Sequence, residues 1–178
     1  MDFPAAPSRW TDLPLPGRRF LPGDAHAPDL PDPLPPAPLV TPDRWRDCPA
    51  YLYGSDLYNR GYWWESHELW ELIWRAAAGD PEHETLRHFT QGLIQLAACA
   101  IKLEQDKPRG LNKLLASSEN YLCAVTERVG SARYMGLRVP AWQSSARQYY
   151  LARLNPESIT ITAPHDATLF PYLRLSDD

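Results

Sequence analysis

Thirteen of the nineteen prolines fall within the first 49 residues, and this divides the chain more sharply than any other feature. A proline lacks a backbone N–H and holds φ at about −65°, so a stretch this rich in proline sustains neither helices nor interior strands. Residues 1–48 are therefore expected to form an extended arm, either a disordered linker or a polyproline-like wrap. Trp10, Phe20, Leu34, Leu39 and Val40 give that arm apolar surface with which to dock. Residues 49–155 carry helical patterns, and 156–178 read as an irregular tail. A chain of 178 residues is long enough for one good core.

Within the body, caps and breakers mark the helices. Thr41 or Asp43 caps a short helix through Trp45, and a second pattern starts near Pro49 with Leu52, Tyr53, Asp56, Leu57 and Tyr58. Gly61 interrupts it. A central helix from Tyr62 to Ala78 stops at Gly79, and Asp80-Pro81 followed by Glu82 and Glu84 opens a third, reaching Asp106. A fourth spans Arg109 to Val129 and a fifth opens at Pro140. Ser158–Thr162 alternates like a lone strand. The expected fold class is all-α, a compact bundle of about five helices with the arm against it.

Four of the seven tryptophans lie between positions 63 and 74, so the central helix is expected at the heart of the core. At about 100° per residue, Tyr62, Leu69, Leu72, Ile73 and Ala76 share one arc, extended by Trp63, Ser66, Trp70, Trp74 and Ala77. Arg60, Trp64, His67, Glu68, Glu71 and Arg75 fill the other sector, with Glu65 towards the apolar side. On the third helix His88, Gln91, Gly92, Gln95 and Cys99 form a polar, small-residue stripe, the best face to set against His67 and Glu71.

The net charge of −4 lacks the basic excess that binding to a phosphate backbone needs, which disfavours nucleic acid as a partner. No apolar run approaches the roughly 20 residues of a membrane span, and Met1-Asp2-Phe3-Pro4 has no signal pattern; a cytoplasmic protein is expected. Cys48, Cys99 and Cys123 are odd in number and widely spaced, suggesting neither a disulfide framework nor a thiolate zinc site.

The residues Asn59, Gly61, Glu65, His67, Glu68, Glu71 and Trp74, followed by Gln91-Gly92-Leu93-Ile94-Gln95 and Ala97, make a two-part pattern. It resembles the signature of domain-of-unknown-function family 309, small all-helical domains of bacteria and archaea, over roughly residues 50 to 128. Pro22-Gly23 with His26 and Pro28 is similar to an N-terminal extension of longer members. The resemblance implies the label carried by the family, metal-dependent hydrolase.

Two functional readings follow from the residues. In the first, His67 and Glu71, one helical turn apart, converge on a divalent ion such as zinc, manganese or iron, and Glu68 activates water as general base. Glu65, His88 and His26 are candidates for a third ligand, and Asn59, Trp74, Gln91 and Gln95 for further site residues. The substrate would be a small polar molecule. In the second, the His/Glu/Gln cluster is a structural hydrogen-bond network in a non-catalytic scaffold or interaction module, with a second copy of the chain as a candidate partner. The first requires a cluster open to solvent, the second a closed and internally satisfied one.

Overall fold

The computed structural model describes residues 3, 5–155 and 157–177. Met1, Asp2, Pro4, Pro156 and Asp178 lie outside the described residues, and with them the expected tail boundary at Pro156 and most of the N-terminal tetrapeptide. Five α-helices build the body: α1 (Pro49–Tyr58), α2 (Trp63–Ala76), α3 (Glu84–Glu104), α4 (Pro108–Val129) and α5 (Val139–Leu151). Short 3-10 turns at Pro42–Asp47 and Pro81–His83 precede α1 and α3. Prolines open α1, α4 and α5, where the missing N–H is one the first turn leaves unbonded in any case. Gly130 closes α4 in the left-handed conformation. Among the described residues no helix is long and apolar enough to cross a membrane.

The helices pack in sequence, α1 on α2, α2 on α3, α3 on α4 and α4 on α5. Gly92 sets the α3–α4 approach: a Cβ there would lie 2.6 Å from Leu122, and the Ser118 hydroxyl donates to the Gly92 carbonyl. Close packing at Gly54 similarly seats the Trp70 indole on α1, where a Cβ would lie 2.6 Å from Nε1. That contact orients α2 differently from the expected arc. Its buried face is Trp63, Ser66, Leu69, Trp70, Ile73 and Ala77, with Glu65 beside it, while Leu72 is only half-buried and Ala76 is exposed.

Two small hairpins complete the fold. Strands β1 (Arg133–Tyr134) and β2 (Leu137–Arg138) pair across Met135-Gly136, both with positive φ, the backbone that a two-residue hairpin turn requires. β3 (Leu154–Asn155) pairs antiparallel with β4 (Thr160–Ile161). The expected lone strand at 158–162 is therefore the second half of a hairpin begun where α5 ends.

Both ends of the described chain close over α1 and α2. All of α1 except Pro49 is buried, because the arm covers the side that the other helices leave free. Trp10 N and Thr11 N donate to Asp56 at 2.8 and 2.9 Å, and the Thr11 hydroxyl adds a third bond at 2.8 Å. Tyr53 donates to the Pro14 carbonyl, and Arg60 to that of Pro7. From the tail, Leu173 N donates to Asn59 Oδ1 at 2.7 Å and the Leu173 carbonyl accepts from Asn59 Nδ2 at 2.8 Å. Phe3, Trp63, Phe170 and Tyr172 interlock edge to face where arm, helix and tail meet.

Candidate functional site

α2 leaves the chain reversal at Gly61, whose φ of +81° suits glycine and whose missing Cβ admits the Phe3 ring. From Trp63 onward the helix turns its indole-rich face inward and places His67, Glu68 and Glu71 on the other side. These side chains are 27, 31 and 25 % exposed. Each offers one donor atom, and the three donors lie within 4.8 Å of one another. His67 Nδ1 and Glu68 Oε1 are 3.2 Å apart, and Arg75 donates to Glu71 at 2.7 Å. One imidazole and two carboxylates form a donor set of the kind that zinc, manganese or iron takes.

The other expected site residues go elsewhere. Glu65 is fully buried on the opposite side of α2, where Oε1 accepts from Phe20 N at 2.8 Å. Oε2 is buried with no hydrogen-bond partner among the described residues. Burial raises its pKa above the ordinary carboxylate value, against the lowering effect of the Phe20 bond and of Arg19. Asn59 holds the tail, as described. Trp74 is half-buried, with the Arg87 guanidinium 4.9 Å from its ring centre. His26 lies 3.3 Å from the Arg19 carbonyl and 3.8 Å from Asp24, its ring edge-on to Phe20.

The stripe on α3 turns to α4 rather than to His67 and Glu71. His88 meets the Tyr121 ring at 5.4 Å, Gly92 meets Leu122, and the Cys99 thiol points to the Leu111 carbonyl at 3.7 Å. The small residue that promised close approach does provide it, for a different neighbour. Gln91 and Gln95 are half-buried, and Gln95 Oε1 has no partner among the described residues. None of Glu65, His88 and His26 belongs to the donor group on α2.

Two polar residues that sequence reasoning did not single out carry much of the internal bonding. Asp56, read in the sequence only as one position of the helical pattern after Pro49, lies in the middle of the buried α1. His165 lies in the irregular tail, where no periodicity marks it. Its Nε2 donates to the Ala100 carbonyl at 3.0 Å, so Nδ1 accepts from the Tyr149 hydroxyl at 2.8 Å. The ring lies 4.3 Å from that of Trp63, and burial lowers its pKa to about 4.

Residues 51–114 match the family model described as "Domain of unknown function (DUF309)". Over that segment the chain is similar to DUF309. No curated protein and no solved structure matches the chain. The DUF309 segment runs from α1 through α3 into the start of α4 and contains the whole donor group on α2. It also contains Asp56, Asn59 and Glu65, whose partners Trp10, Thr11, Leu173 and Phe20 lie outside it. Taken alone, the DUF309 segment would leave three polar side chains on α1 and α2 without these bonds.

Proposed function

We propose that the outer face of α2 binds a divalent cation and that the protein is a metal-dependent hydrolase of a small polar substrate. The observation that carries this reading is the gathering of one histidine and two glutamates within 4.8 Å on a half-buried, solvent-reaching face. His67 and Glu71 hold the ion, which when bound supplies a Lewis acid that polarises the substrate. Glu68 takes a proton from water, with the His67 ring beside it to orient its carboxylate. Arg75 bonds Glu71, and with that carboxylate on an ion its guanidinium, 61 % exposed, would be available to an anionic group of the substrate.

The scaffold reading has an observation of its own. Asn59 and Glu65 fasten the tail and the arm, so this part of the signature has a structural use, and Asp56, outside the signature, holds the arm beside them. The two readings thus divide α1 and α2 between them, inner residues holding the fold together and outer residues free for chemistry. The arm 1–48, body 49–155 and tail 156–178 then act as one unit.

Elemental analysis of protein purified without a metal-affinity tag, beside His67→Ala and Glu71→Gln, tests the proposal. The expected result is near-stoichiometric metal lost in both variants, with melting temperatures little changed because the side chains are partly exposed. Wild-type protein that retains no zinc, manganese or iron after equilibration with each would sink it. A large fall in melting temperature in the His67 variant would instead favour a structural role.

A further inference from the structure

A cavity of about 590 Å³ lies between the start of α5, β2 and the tail, away from the donor group on α2. Its floor is aromatic, made by Trp142, Phe170 and Tyr172, and Leu169, 66 % exposed, stands at its edge. Two arginines line it, Arg138 and Arg174, and among the described residues no carboxylate does.

The backbone register explains why these arginines are together. Leu137 bridges Leu175 in antiparallel fashion, and Ser176 N donates to the Gly136 carbonyl. Arg138 and Arg174 each adjoin that bridge, one residue along from Leu137 and one residue before Leu175, and both line the cavity. Arg138 also faces Arg133 across the β1–β2 pair, so three cations gather here, and like charges placed opposite one another in an antiparallel pair repel. Nearby acids are committed elsewhere, Asp177 to Arg46 and Asp166 to the Thr168 backbone and hydroxyl. Arg174 gives one N–H to the Ala5 carbonyl and lies over the Tyr172 ring. The Arg138 side chain has no hydrogen bond or ion pair among the described residues, while its backbone belongs to β2.

We propose that this cavity binds a small aromatic carboxylate, its ring on the aromatic floor and its carboxylate between Arg138 and Arg174. A planar carboxylate presents one edge to each guanidinium fork and relieves the repulsion between them. The mostly apolar lining selects a singly charged head over a doubly charged one, whose desolvation costs more. The volume falls within the range of small-molecule sites, roughly 300–1,000 Å³.

Calorimetric titration of the full chain with 2-naphthoate and with its neutral counterpart 2-naphthamide tests the assignment. The carboxylate should bind at least tenfold more tightly than the amide. Arg138→Gln and Arg174→Gln should each weaken naphthoate at least fivefold and leave the amide unchanged. Arg138→Glu should abolish naphthoate binding and raise the melting temperature, because it converts the opposed like charges into an ion pair. Equal binding of acid and amide, no binding of either, or an Arg138→Glu protein that melts no higher than wild type would overturn the proposal. Tighter binding of 2-naphthyl phosphate than of 2-naphthoate would overturn the choice of head group.

Discussion

His165 shows how one side chain can set a response to acid. Its pKa is depressed in the folded protein, so the neutral ring's contribution is fully present above the unfolded value of 6.5 and is lost as pH falls towards about 4. A displacement of that size corresponds to roughly 3 kcal/mol by pH 4. His165→Gln should therefore be less stable than wild type at pH 7, with the difference shrinking by about that amount at pH 4. Denaturant melts of both proteins across this range check it, and a gap that stays constant would show that the ring titrates normally. At this scale the donor group on α2 was legible because His67, Glu68 and Glu71 belong to one helix, whose geometry fixes their relative positions. Glu65 and Asn59 were read as site residues because their partners lie 45 and 114 residues away, beyond any local pattern.

Helix ends were legible in the sequence because proline and glycine act locally: the observed bounds of α4 and α5 lie close to those read from Pro108, Gly130 and Pro140. Which face meets which neighbour was not, since that depends on where another element leaves room. The α3 stripe is the clearest case, with Gly92 admitting Leu122 of α4. Gly92→Ala should force the two helices apart; overpacking of about 1–3 kcal/mol exceeds the gain in helix propensity of at most about 1 kcal/mol. Gly110→Ala, near the start of α4, meets only the Lys102 side chain at 3.4 Å and should be neutral or stabilise by about 0.5 kcal/mol. Chemical denaturation of both variants measures the contrast, and equal effects would mean that α3 and α4 do not pack tightly at Gly92. The hairpin at Met135-Gly136 escaped notice because methionine is no turn signal; the Tyr51 hydroxyl on the Met135 carbonyl and Trp45 against Gly136 hold it from outside.

For the molecule as a whole, the proline-rich arm is part of the fold. Asp56 receives three hydrogen bonds from it inside a buried helix, and bonds to a charged group contribute about 1.5–3 kcal/mol each without adding fully. Asp56→Ala should cost roughly 3–5 kcal/mol and release the arm, so that limited proteolysis cuts within residues 7–30 far faster than in wild type. Protection equal to wild type would show that apolar contacts alone retain the arm. The two fastenings also differ in timing during synthesis. When α1 emerges from the ribosome, Trp10 and Thr11 have already been made and can close on Asp56 at once. Leu173 is added 114 residues after Asn59, so the growing chain holds that amide open to water through most of its assembly, and a nascent protein stalled midway would present the unsealed side of α1 to chaperones.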